Sequence, residues 1–314
     1  MPIPINTPRA HPARPDPMPS HRLPGLVAAL LLACVALPAP AQGVLDRIKS
    51  GGRLVLAHRE SSIPFSYLDA QGRPVGYAMD LCLRLAEVIR KKAGVRELGI
   101  DYLPVKASDR IAAIEQGRAD LECGSTTNNA ERREKVAFTV PHFIAGARLL
   151  VRANNPATRL EDLSGKTVVS TRGTTPLKVV DQLNRQHLMK LNLSEASDHQ
   201  QALKQVLDGQ AEAFVMDDVL LYGLIASSPN PADLKVVGRY LTTEPLAIML
   251  PKGDTALKQV VDEEMKRLIT SREIHPIYER WFMRPIPPAN AALNLPMSYL
   301  LRDFWKYPTD QVPF

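Results

Sequence analysis

The stretch Glu122 to Arg132 reads ECGSTTNNAER, placing small hydroxyl residues, two amides and an arginine directly after a short run, Ala119 to Cys123. A guanidinium can fork onto both oxygens of a carboxylate, and hydroxyls with free backbone N–H groups complete a seat for a small anion. The candidates in this stretch are Ser125, Thr127 and Arg132. An apolar run that gives way to Gly124, Ser125, Thr126 and Thr127 predicts a strand ending in a polar loop, and in open α/β sheets ligands lie beyond the carboxyl ends of strands. Taken alone, the cluster equally describes a surface turn. A second hydroxyl-rich end lies at Thr171-Arg172-Gly173-Thr174-Thr175, after the apolar run Thr167 to Ser170, and a third polar end is Asp217-Asp218. The chain carries no nucleophile–base pair, metal set or phosphate loop that would point to catalysis, so no cofactor and no metal are expected.

The elements that must position these residues follow from periodicity and punctuation. Met79 to Lys91 carries Leu81, Leu85, Val88 and Ile89 at helical spacing and stops at Gly94. Arg53 to His58 and Ile100 to Val105 read as strands. Ser108 or Asp109 is placed to cap a helix that runs to Gln116 and is stopped by Gly117. Two segments share one pattern, IAAIEQGRAD from Ile111 and LKQVLDGQAE from Leu203. Each is helix, glycine, one residue, alanine and acid, followed by a strand with a polar end. That repetition predicts two α/β lobes. Phe143 to Arg152 and Pro245 to Pro251 are apolar strand-like runs suited to carry the chain across and back. Helices are expected over Asp254 to Thr270 and Ile277 to Met283, and the Pro-interrupted tail from Leu293 is expected to lie along the first lobe.

The chain has 314 residues, 45% of them hydrophobic, and a formal charge of +6 with no long basic run, which argues against a nucleic-acid partner. Leu23 to Leu37 is an apolar segment too short to span a bilayer, preceded by Arg22 and followed by Ala39-Pro40-Ala41. It reads as a secretory signal cleaved near Ala41/Gln42. Lipid anchoring at Cys34 is the weaker alternative. Loss of three arginines and one aspartate with this leader takes the charge from +6 to +4. The exported chain keeps Cys82 and Cys123, which allow either one disulfide or two buried thiols.

An ordered set of motifs then resembles the periplasmic solute-binding proteins, family 3, of ABC importers, in the glutamate/aspartate-binding branch: HRESSIPFSY from His58, VGYAMDLC from Val75, DRIAAIEQGRADLECGSTTNNAERREKVAFT from Asp109, LSGKTVVSTRGTT from Leu163, Asp198-His199, FVMDD from Phe214 and WFMRPIPP from Trp281. The resemblance spans about Val44 to Tyr307. It implies a two-lobed, Venus-flytrap α/β fold (type II) with two hinge strands and a ligand in the interlobe cleft. The implied parts are a signal peptide at 1–41, a first lobe from 42–145 and 243–314, and a second lobe at 146–242. It implies a monomeric, non-enzymatic, periplasmic component of an amino-acid importer that binds L-glutamate or L-aspartate and docks on a membrane permease served by an ATPase.

The resemblance also assigns roles. Arg132 matches the fork onto the α-carboxylate, and Ser125 and Thr127 match positions that help hold the zwitterion from the first lobe. Thr171 and Thr174 close from the second lobe, and Asp217 accepts the α-ammonium. Arg59 and Arg110 match the pair that takes the side-chain carboxylate, with His199 a further donor. The chain departs from the pattern at Ala107, where relatives carry a hydroxyl; Ser108 stands next to it. Plainer readings compete: Arg59 and Arg110 as surface ions paired with Glu60 and Asp109, Asp217 as a helix cap, His199 as a solvated loop residue. Phe65 and Tyr67 are either cleft lining or core. A dehydratase of the same fold, acting on cyclohexadienyl substrates through Glu122 or His199, and a ligand-presenting sensory protein are the alternative functions.

Overall fold

The computed structural model describes residues 43–312, so the expected signal segment and its cleavage site lie outside the described residues. A first sheet is ordered Gly99–Pro104, Arg53–His58, Leu121–Thr127, Glu244–Pro251, Val136–Phe138, with Phe143–Ala145 also paired to Glu244–Pro251. Its first three strands are parallel, and Glu244–Pro251 runs antiparallel to its neighbours. Helix Tyr77–Ala93 crosses between parallel strands, as such a connection requires. Its buried positions Leu81, Leu85 and Ile89 recur every four residues and so form one face. Cys82 on that face is disulfide-bonded to Cys123 on Leu121–Thr127. The bond therefore clamps the helix to the strand that carries Ser125 and Thr127.

That strand corrects the sequence reading. It does not stop at Gly124 but runs through Thr127, every residue buried. The reason is tertiary. The returning strand Glu244–Pro251 lies alongside, with Leu246 opposite Thr127 and Ala247 opposite Thr126, and pairs backbone groups that a sequence-based reading leaves to solvent. Threonine, being β-branched, fits a pleated strand once a neighbour is present. The cap expected at Ser108 or Asp109 is also different. Asp109 stands just before helix Arg110–Glu115, but its side chain makes no capping bond and instead accepts the Ser108 hydroxyl at 2.8 Å.

The second sheet is ordered Asn192–Ala196, Thr167–Thr171, Ala213–Asp217, Ala147–Arg152, Leu234–Val237. Thr167–Thr171 is parallel to both neighbours, and Ala213–Asp217 pairs antiparallel with Ala147–Arg152. Both copies of the helix–glycine–strand pattern are realised, in Arg110–Glu115 with Leu121–Thr127 and in His199–Leu207 with Ala213–Asp217. The chain passes from the first sheet to the second at Gly146 and returns through 241–244. The two crossings are bonded together: Leu241 N donates to Ala147 O at 2.9 Å, and Ala147 N donates to the Thr242 hydroxyl at 3.0 Å.

Several short elements escape the periodicity: edge strands Asn192–Ala196 and Leu234–Val237, the three-residue Val136–Phe138, and a small sheet of Ser61–Ser62, Ser66–Leu68 and Pro74–Val75. Phe65 and Tyr67 are core. Phe65 packs on Tyr77, Phe143 and Phe282, and the Tyr67 hydroxyl donates to Pro287 O at 2.7 Å. The tail forms helix Tyr299–Phe304 and lies on the first-sheet side, where Trp305 Nε1 donates to Pro141 O at 3.2 Å and Asp310 O accepts from Asn128 Nδ2 at 3.0 Å.

Candidate functional site

Arg59 directly follows strand Arg53–His58, and Arg110 opens helix Arg110–Glu115; they are 1% and 2% exposed. Neither makes an ion pair among the described residues, so the surface-pair reading with Glu60 and Asp109 fails. Arg59 Nη1 and Arg110 Nε have no hydrogen-bond partner at all. Burial pushes the Arg59 guanidinium down to about 9, Arg110 pushes it further, and Glu122 pulls the other way. Burial likewise lowers Arg110, opposed by Glu122, Asp217 and Glu244. Two desolvated like charges side by side are costly, and an anion between them would relieve both.

Glu122, whose charge acts on both arginines, is fully buried. Its Oε2 accepts the Thr126 hydroxyl at 2.8 Å while Oε1 has no partner. Gly124 makes the arrangement possible, since a Cβ there would stand 2.2 Å from Glu122 Oε1 and 3.1 Å from Arg59 Cγ. Along the same strand, Ser125 and Thr127 are buried, and the Thr127 hydroxyl donates to Glu244 Oε2 at 2.5 Å. Arg132 sits in the short helix Ala130–Arg133, its N–H capped by the Asn129 side chain at 2.9 Å. Its Nη1 donates to Thr127 O at 2.9 Å, and its Nη2 reaches across to Gly173 O at 3.3 Å. Burial lowers this guanidinium to about 10, with Arg110 the next cause.

The second sheet supplies the opposing side. Thr171 ends strand Thr167–Thr171 and bonds His199 Nδ1 through its hydroxyl at 2.8 Å. Thr174 donates to Thr171 O at 2.6 Å and caps helix Thr175–Gln186. The intervening Gly173 has φ +78°, and a Cβ on it would stand 2.7 Å from Ser108 Cα. The 171–175 loop is therefore seated on Ala107 and Ser108. Ser108 does not replace the hydroxyl missing at Ala107, because it is exposed and turned to Asp109. His199 is buried rather than solvated, with Nε2 unpartnered. Burial, then Arg59 and Arg110, holds it well below 6.5, so the ring is neutral near pH 7.

Asp217 immediately precedes helix Asp218–Ser227 but its side chain makes no capping bond, while Asp218, the first helical residue, accepts Val219 N at 2.8 Å. Asp217 Oδ1 is left without a partner, and burial, then Glu244 and Asp218, raises its carboxyl well above 3.8. The structure thus gathers Arg59, Arg110, Arg132, Thr127, Thr171, Thr174, His199 and Asp217 into one buried region between the sheets, with Ser125 on the same strand as Thr127. Among the described residues, six buried polar atoms of this region lack partners: Arg59 Nη1, Arg110 Nε, Glu122 Oε1, His199 Nε2, Asp217 Oδ1 and Glu244 Oε1. Buried polar groups are ordinarily satisfied, so such a concentration marks a place built for something else to complete.

Sequence reasoning missed Glu244 altogether and gave Glu122 only a catalytic alternative. Glu244 stands at the start of an apolar strand, and nothing local distinguishes it from an edge charge. Only the pairing of its strand with Leu121–Thr127 brings it to Thr127. Among the described residues no group of three or more His, Cys, Asp or Glu side chains is placed to hold a metal, and no helix is long and apolar enough to cross a membrane.

Two sheets, two bonded crossings and a polar site between them define a two-lobed periplasmic binding protein of type II. Residues 54–284 match the bacterial extracellular solute-binding proteins, family 3, and the chain belongs to that family. The family supplies the periplasmic components of ABC amino-acid importers. The chain is 41% identical to an L-glutamate/L-aspartate-binding protein of Pseudomonas aeruginosa, over 91% of this chain and 95% of the relative. It is 36% identical to a glutamate/aspartate import solute-binding protein of Escherichia coli, over 91% and 94%. These relatives are solute-binding proteins and not enzymes. Among solved structures, an ancestral arginine-binding protein bound to arginine matches with TM-score 0.66 at 26% identity, covering 74% of this chain and 98% of that one. An ancestral amino acid-binding protein described as a precursor of cyclohexadienyl dehydratase matches with TM-score 0.64 at 27% identity, covering 76% and 98%.

Proposed function

We propose that this protein binds L-glutamate and L-aspartate between its lobes in the periplasm and delivers them to a membrane permease and its ATPase. The observation that carries the reading is the set of three buried arginines without a carboxylate partner, opposed by an aspartate with a free oxygen. A dicarboxylic amino acid offers two anions and one cation, the complement of that set. In this reading Arg132 forks onto the α-carboxylate, Ser125 and Thr127 help hold the zwitterion from the first lobe, Thr171 and Thr174 close on it from the other side, and Asp217 takes the α-ammonium. Arg59 and Arg110 take the side-chain carboxylate, with neutral His199 donating through Nε2. Two buried guanidiniums without an ion-pair partner reject a neutral or basic side chain. The names of the relatives from Pseudomonas aeruginosa and Escherichia coli support the same ligands.

Closure is a population shift toward the form in which both lobes touch the ligand. The lobes so proposed are 42–145 with 243–314, and 146–242, following a signal peptide at 1–41, and the protein acts as a monomer. Calorimetry on the mature chain tests the reading. Stoichiometric heat with L-glutamate and L-aspartate is expected, with arginine and glutamine far weaker. Silence with both acidic amino acids would sink it.

A further inference from the structure

Glu244 has no part in the assignment above. It is fully buried on the returning strand, opposite Ala145, where the chain crosses back between the lobes. One oxygen takes the Thr127 hydroxyl at 2.5 Å, and the other has no partner. A hydroxyl has one proton and two lone pairs. With its proton committed to Glu244, Thr127 has only lone pairs for anything else. One of these faces the Thr175 hydroxyl at 3.4 Å, a contact from the opposite lobe. The Arg132 guanidinium, meanwhile, is tied to Thr127's own carbonyl at 2.9 Å, so carboxylate binding and this hydroxyl meet at one residue.

We propose that Glu244 is a positioning residue which makes the site demand a hydrogen-bond donor at the α-position and favour a charged one: by taking the Thr127 proton it turns that hydroxyl into an obligatory acceptor. A hydroxyl free to rotate could donate to a carboxylate or accept from an ammonium, and would discriminate little between them. Held by Glu244 it can only accept. An amino acid is thereby favoured over the 2-hydroxy acid of the same skeleton, whose hydroxyl carries no positive charge.

The inference rests on the acidic-amino-acid reading, and one experiment separates the two. The mature protein and its Glu244→Gln variant are titrated by calorimetry with L-glutamate and with L-2-hydroxyglutarate. The wild type is expected to prefer glutamate. In Glu244→Gln, whose amide can donate to Thr127 and free its proton, glutamate should weaken by about tenfold or more while 2-hydroxyglutarate changes by less than about threefold. Thr127→Val should narrow the preference in the same way, and Glu244→Gln should add nothing on that background, whereas Thr127→Ser should keep it. Equal losses for both ligands, an unchanged preference, or additive effects of the two substitutions would overturn the proposal. If Glu244→Gln fails to fold, the comparison of Thr127→Val with Thr127→Ser decides. If the wild type binds neither acidic amino acid, the functional reading itself is wrong and this inference falls with it.

Discussion

Arg59 offers a test in which stability and binding should move in opposite directions. The side chain is 1% exposed, has no ion pair among the described residues, and its pKa is lowered from the usual guanidinium range to about 9 by burial and then by Arg110. At 1.36 kcal/mol per pKa unit, that drop corresponds to on the order of 5 kcal/mol against keeping the charge where it stands. Replacing a buried charge that has no ion pair by an apolar side chain of similar length removes that cost. Replacing a whole buried ion pair by apolar residues is neutral or stabilising by about 1–4 kcal/mol, and a buried charge with no ion pair carries the desolvation cost without the attraction, so a gain of that order is expected here. For a protein of this size that means a melting temperature higher by roughly 2–8 °C in Arg59→Met without ligand. Binding should suffer in the same variant. Removing one partner of a buried charge pair costs about 2–5 kcal/mol, on the order of 30- to 4,000-fold in Kd for glutamate. Glutamine has no side-chain charge to lose, so its affinity should change by less than about fivefold. Thermal melting with and without ligand, followed by calorimetry, reads both effects. An unliganded variant that melts well below wild type while still binding glutamate normally would refute the reasoning, because Arg59 would then be a structural residue.

Asp217 should make binding proton-linked. Its carboxyl is raised well above 3.8 by burial, Glu244 and Asp218, and an ammonium beside it would lower it again. Between 3.8 and the raised value the unliganded fold holds an extra proton, so its stability falls as pH rises through that interval, and glutamate binding there expels the proton and strengthens with pH. Calorimetry in two buffers of different ionisation heat should show that release in wild type and none in Asp217→Asn; identical heats in both buffers for wild type would count against it. The disulfide closes a loop with a sequence separation of 41 residues. Its removal in the Cys82→Ser, Cys123→Ser double variant should cost about 2–4 kcal/mol in urea denaturation, and reductant should do the same to wild type; an unchanged midpoint would deny the bond a role. Gly124→Ala would force a methyl to within 2.2 Å of Glu122 Oε1. We expect a loss of about 1–3 kcal/mol from overpacking together with weaker glutamate binding, and an unaffected variant would show that Glu122 can leave its place.

Much of the scaffold was legible because it is local. Strand Arg53–His58, helix Tyr77–Ala93 and the helix–glycine–strand pattern at both Arg110–Glu115 and His199–Leu207 announce themselves through spacing and stop signals. The stretch Gly124 to Thr127 misled for the converse reason. Its hydroxyls look like a turn to any reading confined to neighbours in sequence, and become a strand only when residues more than a hundred positions later lie beside them. Asn192–Ala196 and Leu234–Val237 were silent because edge strands need little apolar alternation.

The sequence by itself determined the residue types that chemistry requires: three arginines, a ring of hydroxyls, and acids placed at the ends of predicted strands. Motif order was sufficient to bring in the family. It could not decide whether Arg59 and Arg110 were solvated ions or buried charges, whether Asp217 capped a helix, or that Glu244 lay against Thr127. Those are questions of solvent and partner, and both are set by atoms far away in the chain. Charges acquire shifted proton affinities and unsatisfied bonds only when two lobes exclude water from them. The tertiary structure decided these points because it alone determines what each polar group is left without.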